Sequence, residues 1–358
     1  MYNLLCGNCI QAVRRKLYRQ YIAKNITTEA VRKVVENMSA RLNIEDYGNI
    51  IVFVCHFTNN KDVLDTILLN AYLQFENVIP FDFAKPGTLF DEAYERIEKY
   101  LLPNSVGEET DVKEQRKQDL SRRDKLGLQD GEVDTRDNDV DEEKNKEIAD
   151  IVVAIRTIDV LGQILKNYPG DIDGTDKVEI IESIDRVAMR VIGVMIETFG
   201  YFEKDLIRIL ADEAKEQDKS ASNIQLVGRV KEMFAALLSS FAFSTVQRVA
   251  RSLGSEHLLI AMEEVVENHP EWISLKLANV HVQLNCSPTP PHEQIKKYYL
   301  DLEKDKLKFA AGTLKAIVAW YLRNNRCGQA TRDSLCSTLG LNKTYYLSPS
   351  SVISTQKK

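Results

Sequence analysis

Apolar residues along the chain recur every three or four positions, and the clearest run lies between Ile148 and Tyr168. Such spacing places side chains on one face of a helix. The apolar positions of this predicted helix are Ile148, Ile151, Val152, Ile155, Ile158, Leu161 and Leu165. Other apolar residues widen the stripe past half the circumference, which indicates burial on more than one side. We therefore predict the central helix of a packed bundle, with a core containing Ile155, Ile158, Leu161, Gly162 and Leu165.

Gly162 places the smallest residue within that stripe. A glycine in a helix interior costs about 1 kcal/mol relative to alanine. It is tolerated where another backbone crosses closely, so we expect a second helix to approach at Gly162. Pro169 and Gly170 then end the helix, because proline lacks an amide hydrogen and restricts the residue before it.

Similar patterns predict helices on both sides of this segment. The predicted helices before it cover residues 2–23, 28–42, 61–75 and 88–102. Those after it cover residues 176–199, 204–215, 223–253, 255–266, 272–284, 307–324 and 331–339. The apolar run Ile50–Phe57 is ambiguous between a buried strand and a buried helix, and its helical neighbours favour a helix. We therefore predict an all-α fold built from helical-repeat-like lobes, in the manner of an α-solenoid or a bundle.

A charged tract over residues 104–147 has a different composition, with few aliphatic or aromatic residues. Between Glu108 and Glu147, fifteen acidic residues face nine basic ones, and this difference of −6 equals the net charge of the whole chain. Such a segment does not bury enough surface to offset the entropy of ordering, which predicts a disordered acidic linker. The predicted domains are an N-terminal helical lobe (1–103), this linker (104–147), a C-terminal helical bundle (148–345) and a flexible tail (346–358).

Composition and charge are those of an ordinary soluble globular protein, with 44% hydrophobic and 28% charged residues. The N-terminal apolar stretch is too short for a signal peptide, and no run of about 18 apolar residues is evident that would span a bilayer. We therefore expect a cytoplasmic protein with no membrane partner, whose six cysteines are reduced thiols. No region is basic enough to predict a broad nucleic-acid interface.

The chain lacks the sequence patterns of common catalytic sites. Neither GxxxxGK[ST] nor GxGxxG occurs, so we expect no nucleotide hydrolysis. Cys6 and Cys9 have metal-ligand spacing but no second ligand pair, which favours two thiols on a packed helix. Cys55 and His56 are adjacent, and adjacent residues on a helix point in different directions. We therefore predict that the protein is not an enzyme and holds no metal or cofactor.

Arg186 and Arg190 are the one candidate for a partner-binding site. They lie four residues apart and share a helix face, where two guanidinium groups can clamp a carboxylate or phosphate. Glu182 and Asp185 lie beside them, however, and local ion pairs on a solvated helix face account for the same spacing more simply.

The segment Arg332–Leu341, followed by residues 342–346, has the outline of a helix-turn-helix. Its second part reaches Pro349 after one or two turns and carries one lysine, which is poor for entry into a major groove. Gly340 also fits the ordinary C-terminus of a single helix. A DNA-binding regulator is therefore the third functional alternative for this chain.

The segment 155–170, with the sequence IRTIDVLGQILKNYPG, resembles the TI-x-x-LGQILKN-y-x-G stretch of large bacterial STAND proteins. These signal-transduction ATPases with numerous domains are implicated in antiphage defence. The segment VCHFTNN resembles the family's hHTkN hairpin, and the tract 104–146 resembles its charged insert. The segment Ser252–Glu256 and the ending Ser354–Lys358 are similar as well.

The resemblance implies that the chain corresponds to the C-terminal helical region of a STAND NTPase, downstream of an effector and an ATPase core. In the family, this region is implied to sense a phage product or to hold the protein inactive. The chain itself carries neither an effector nor an ATPase core. We therefore expect a non-enzymatic sensing and regulatory module that binds a protein partner, either an ATPase core or a phage protein. The alternative is a helical scaffold for protein interaction that is unrelated to defence.

Overall fold

The computed structural model describes residues 19–26, 29–58, 61–86, 90, 142–167, 170, 172–216, 220–287, 290–325 and 327–341. Every regular element in these ranges is a helix, which confirms the predicted all-α fold. The helices are α1 Glu29–Ser39, α2 Glu45–Thr58, α3 Lys61–Leu73, α4 Glu142–Asn167, α5 Gly174–Glu216, α6 Ser220–Leu253, α7 Leu259–Asn268, α8 Ile273–Cys286, α9 His292–Lys304, α10 Lys308–Asn324 and α11 Gln329–Leu339. A short 3-10 helix, Glu256–Leu258, precedes α7.

Several sequence predictions lie outside the described residues. Of the predicted helix at 2–23, only residues 19–23 are described, so Cys6 and Cys9 lie outside. Of the predicted helix at 88–102, only Phe90 is described. Residues 104–141 of the charged tract and all residues after Leu341 also lie outside the described ranges. Within that tract, α4 begins at Glu142, so the central predicted helix starts six residues earlier than its apolar pattern indicates.

The helices belong to two compact units, and these do not follow the predicted domain boundaries. The first unit combines Met1–Pro86 with Glu147–Pro291, and the second combines Gly87–Lys146 with His292–Lys358. The first unit therefore takes helices from both predicted lobes. The physical reason is direct packing of α3 and its following loop on α5. One of these contacts is the ion pair between Lys61 Nζ and Asp176 Oδ1, at 3.1 Å.

The first unit is built around α5 and α6, two long antiparallel helices of 43 and 34 residues. The sequence predicted a break in α5 between residues 199 and 204, and this prediction was wrong, because one helix runs from Gly174 to Glu216. Gly200 lies within this segment, in open space where a Cβ atom would meet nothing within 4 Å. A helix tolerates one such glycine at a modest cost.

The most completely buried helix of the first unit is α8. All of its residues from Ile273 to Leu284 are buried except Lys276. The sequence predicted this central position for α4 instead. Asn279 and Gln283 are among the buried residues of α8, and polar residues at such positions weaken the apolar pattern by which a core helix is recognised.

Helix α4 buries one face against α6, and its apolar stripe begins later than predicted. Ile158, Leu161, Gly162 and Leu165 are buried, and Ile155 is half-buried. The first predicted member of the stripe, Ile148, has 61% of its surface exposed. The predicted close approach at Gly162 is made by Ser252 of α6, because a Cβ atom at Gly162 would lie 2.5 Å from both the Cβ and the carbonyl oxygen of Ser252.

The second unit contains α9, α10 and α11 among the described residues. Its core helix is α10, and the Phe309 ring packs 4.7 Å from the Phe90 ring, measured between centroids. Helix α9 was not predicted from the sequence, although its buried residues Ile295 and Leu302 have helical spacing. Gly340 ends α11 with φ of 66°, the left-handed conformation expected of a helix-terminating glycine.

Within the described part of the chain, one segment, Gly228–Leu253 of α6, passes a length-and-composition test for a membrane-spanning helix. In its most apolar window, 56% of the segment is buried inside the protein. The same length and composition are found in core helices of globular proteins.

Candidate functional site

Polar side chains of α5 converge on the corner where α7 passes into α8. Glu182, Asp185 and Arg186 lie three and four residues apart, so they project from one side of α5. We use the term corner cluster for these three residues together with His269, Trp272 and Ser274. All six belong to the first unit.

The short connection between α7 and α8 positions the aromatic part of the cluster. Pro270 cannot continue a helix, and α7 ends at Asn268 with the His269 amide donating to the Val265 carbonyl oxygen. A tight turn follows, in which the Trp272 amide donates to the His269 carbonyl oxygen at 3.0 Å. This turn stacks the His269 imidazole on the Trp272 indole, with ring centroids 4.1 Å apart and planes inclined by 17°.

His269 lies between two carboxylates. Its Nε2 atom is 2.8 Å from Oε1 of Glu182 on α5, and its Nδ1 atom is 3.6 Å from Oε1 of Glu271. When the imidazole is protonated, both contacts become ion pairs. The side chain thus joins the corner to α5.

Asp185 is the most buried member of the cluster, with 3% of its surface exposed. The Ser274 hydroxyl donates a hydrogen bond to Asp185 Oδ2 at 2.8 Å. Asp185 Oδ1 has no hydrogen-bond partner in the described structure. Burial raises the pKa of this carboxyl to about 7, although the Ser274 hydrogen bond and the charges of Arg186 and His269 act in the opposite direction.

Arg186 and Arg190 make different contacts within the protein, and the clamp for a carboxylate or phosphate stays a prediction. The Arg186 guanidinium carbon lies 5.9 Å from the centre of the Trp272 ring, in a cation–π contact. Arg190 is 8% exposed, and its Nη1 atom donates to the carbonyl oxygens of Tyr72 at 2.6 Å and Gln74 at 3.1 Å. The local ion pairs that the sequence favoured are also not the main contacts of these side chains.

Cys55 and His56 do not form a nucleophilic pair. Burial raises the pKa of the Cys55 thiol to about 12, so the thiol is protonated at neutral pH. His56 is exposed on α2. Within the ranges that the structure describes, no group of three or more His, Cys, Asp and Glu residues is arranged to hold a metal ion.

Arg332, at the start of the suspected helix-turn-helix, is buried rather than presented on a surface. Its Nη2 atom donates to the Cys327 carbonyl oxygen at 3.2 Å. The segment that would form the recognition helix follows Leu341 and lies outside the described residues. Arg332 therefore does not present its charge on the surface.

Large apolar side chains are exposed on the α5–α6 hairpin. The centroids of the Phe199 and Phe234 rings lie 5.5 Å apart, so these two residues stand opposite each other in the hairpin. We use the term hairpin apolar set for the exposed residues near this level, which are Tyr201, Phe202, Ile209, Met233 and Leu237. Tyr201 is the most exposed of these five residues, with 71% of its surface exposed.

No protein-family model matches this chain, and no curated protein or solved structure is detectably similar to it.

The corner cluster can exchange protons and form hydrogen bonds. The hairpin apolar set can bury surface against another protein. Sequence reasoning missed the corner cluster because its partners are 87 and 89 residues apart. The only local signal is the segment His269–Trp272, which concentrates an imidazole, a carboxylate and an indole around one proline.

Proposed function

We propose that the chain is a non-enzymatic sensing and regulatory helical module, comparable to the C-terminal region of STAND NTPases in bacterial antiphage defence. In this proposal it acts in the cytoplasm and binds a protein partner, either an ATPase core or a phage protein. The resemblance of residues 155–170 supports the link to this class of proteins. The observation that carries the binding role is the hairpin apolar set.

The exposed apolar side chains indicate a binding surface because they are concentrated on the α5–α6 hairpin. Single exposed hydrophobic residues are normal on protein surfaces, whereas larger apolar areas mark interaction sites. Tyr201, Phe202 and Ile209 project from α5 within nine residues, and Met233 and Leu237 follow at the same level of α6. Burial of such aromatic and long aliphatic side chains contributes much of the energy of protein interfaces.

A partner that binds better to one state of an assembly shifts the population towards that state. A module with no catalytic residues of its own therefore regulates an ATPase core by differential binding alone. In the STAND-like proposal, contact with a phage protein changes this binding and so releases or recruits the core.

The double variant Phe202→Glu/Leu237→Glu tests the binding role in the native host. We expect phage plaque counts to rise to those of a strain lacking the gene, because two charges prevent apolar burial at the hairpin. Ile260→Glu is the matched control, since Ile260 is 81% exposed on α7 and lies outside the hairpin. Circular dichroism melts establish that both variants fold like the parent.

Two results would count against this proposal. If deletion of the gene leaves plaque counts unchanged, the defence role is wrong and a scaffold unrelated to defence is favoured. If the double variant folds and still protects the host fully, the hairpin apolar set is not the binding surface.

A further inference from the structure

Helices α4 and α6 pack against each other in the first unit and run in the same direction. Arg248 Nη1 of α6 donates to Asp159 Oδ2 of α4 at 2.7 Å, and these two residues are 89 positions apart. About one turn further along both helices, Gly162 of α4 meets Ser252 of α6. Residues of α4 therefore lie at the level of the α6 residues that come 89 positions later.

Each of the two helices has one continuous face exposed to solvent. On α4, Ile148, Val152 and Arg156 follow one another at steps of four and are all exposed. The exposed face of α6 contains, at steps of three and four, Arg229, Met233, Leu237, Ser240 and Ser244. Residues at such steps share one face of a helix. The 89-residue offset places Ile148 at the level of Leu237, so the apolar parts of the two faces lie at the same end.

Four large apolar side chains form this end of the surface. Ile148 and Val152 of α4 are 61% and 39% exposed, and Met233 and Leu237 of α6 are 47% and 48% exposed. An apolar area of several side chains from two helices is more than the scattered exposure that is normal on a protein surface. We use the term basic–apolar face for these four residues together with Arg156 and Arg229.

Arginines border the apolar residues at both ends of the face. Arg229 lies one turn before Met233 on α6, and Arg156 lies one turn after Val152 on α4. Arg251 continues the same face of α6 and is exposed as well. Within the described part of the chain, none of these three arginines forms an ion pair with a carboxylate. The net charge of the whole chain is −6, so a locally basic surface stands out and is complementary to an acidic partner.

The shape of the face fits a third helix. Two neighbouring helices with exposed residues at steps of three and four present the ridges and grooves into which another helix packs. With the 89-residue offset, Arg156 lies at the level of residue 245, which is 16 positions after Arg229. At a rise of 1.5 Å per residue, the face is about 24 Å long. An amphipathic helix of about 16 residues covers this length, with apolar residues at i, i+3, i+4 and i+7.

We propose that the basic–apolar face binds an acidic amphipathic α-helix of the protein partner. Apolar side chains of that helix pack on the four exposed apolar residues, and its flanking carboxylates pair with Arg156 and Arg229. The inference rests on the binding role proposed above, shares Met233 and Leu237 with the hairpin apolar set, and adds α4 to the surface. A protein helix is favoured over an anionic membrane, because lipid recognition uses clusters of about four to eight basic residues.

A synthetic peptide probes the face in the full-length protein. The acidic probe has three heptads with leucine at positions a and d, glutamate at the flanking positions and a fluorophore at its N-terminus. The control peptide keeps the leucines and carries lysine in place of each glutamate. By fluorescence anisotropy, we expect the acidic peptide to bind about tenfold tighter than the basic one.

Charge reversal on the face tests the arginines. In Arg156→Glu/Arg229→Glu, we expect the preference to invert, so that the lysine peptide binds tighter than the glutamate peptide. Lys296→Glu/Lys297→Glu is the matched control, since it makes the same change of charge at two exposed positions of α9 in the second unit. This control is expected to keep the preference of the parent protein.

A second pair of substitutions tests the apolar part of the face. Ile148→Ser/Val152→Ser should weaken both peptides about tenfold, because less apolar surface is buried on binding. Ile260→Ser is the control, because Ile260 is 81% exposed on α7 and lies outside the face. All substituted residues are exposed, and circular dichroism melts establish that the variants fold like the parent.

Three results would overturn the inference. They are equal affinity for the two peptides, an unchanged preference in Arg156→Glu/Arg229→Glu, and sedimentation of the protein with phosphatidylserine vesicles without binding of the acidic peptide. Phage plaque counts separate this inference from the proposed function. If Phe202→Glu/Leu237→Glu abolishes protection and Arg156→Glu/Arg229→Glu does not, the binding role stands and the acidic helix is wrong. If deletion of the gene leaves plaque counts unchanged while the peptide preference is as expected, the defence role fails and the basic–apolar face stands.

Discussion

Gly162 of α4 and Ser252 of α6 touch so closely that no side chain fits between them. A Cβ atom at Gly162 would lie 2.5 Å from the Ser252 Cβ and carbonyl oxygen, and 2.8 Å from its carbonyl carbon. Two of these three atoms belong to the backbone, so a rotamer change does not relieve the clash. The crossing of α4 and α6 depends on this glycine.

We expect Gly162→Ala to lower the free energy of unfolding of the first unit by about 1–3 kcal/mol through overpacking, although alanine is the better helix former. Gly200→Ala on α5 is the matched control, since a Cβ there meets nothing within 4 Å. The control should gain about 0.4–1 kcal/mol from its helix propensity and from the smaller entropy of the unfolded chain. Urea titrations of both variants measure the difference, and equal effects would contradict the close crossing.

Leu161 lies beside this crossing and is fully buried on the apolar face of α4. Leu161→Asp puts a charge into that core, which costs several kcal/mol against a total domain stability of roughly 5–15 kcal/mol. We expect the first unit to unfold, including α1 to α3, because they belong to the same compact unit. Ile148→Asp on the same helix is the control, and its thermal melt should match that of the parent because Ile148 is exposed.

The sequence was sufficient for the features that depend on neighbouring residues. The spacing of Ile158, Leu161 and Leu165 predicted a buried helix face, and Gly162 predicted a close crossing. The run Ile50–Phe57 was assigned to a helix because its neighbours are helical, and it lies within α2. In each case the information is local: the spacing of apolar residues, the small size of a glycine, or the helical character of the neighbouring segments.

Features that depend on distant partners were not predicted. Arg190 was expected to contact a partner or a neighbouring acid, whereas it donates to carbonyl oxygens of Tyr72 and Gln74, more than 100 residues away. Composition likewise does not reveal that α3 packs on α5, so that the first compact unit combines helices from both predicted lobes. The central position of α8 was hidden by its buried polar residues, such as Asn279.

The environment of Cys55 predicts an unreactive thiol. With a pKa raised to about 12 by burial, only on the order of one thiol in 10,000 is ionised at pH 8. We expect peptide-level mass spectrometry to find Cys55 unmodified after brief iodoacetamide treatment of the native protein at pH 8. The same treatment in urea should label it fully, and rapid native labelling would show that the thiol is accessible and ionised.

Arg190 provides the strictest test of the packing between the N-terminal helices and α5. Its guanidinium donates to the carbonyl oxygens of Tyr72 and Gln74, at the C-terminal end of α3, where backbone carbonyls lack partners within the helix. A positive charge at a helix C-terminus is favourable as well. The loop that follows crosses α5 nearby, with the Phe81 amide donating to the Met189 carbonyl oxygen at 3.0 Å.

We expect Arg190→Met to lower the free energy of unfolding by about 1.5–3 kcal/mol, since it leaves two partly buried carbonyl oxygens without their charged donor. Arg190→Lys should cost less but still be destabilising, because an ammonium group lacks the rigid fork of a guanidinium. Arg186→Met is the matched control one turn away, and loss of its contact with Trp272 should cost about 0.5–1 kcal/mol. Urea unfolding gives this ranking, and hydrogen exchange should show faster opening of residues 74–81 in Arg190→Met alone. If Arg186→Met is the more destabilising of the two, Arg190 does not anchor α3 to α5.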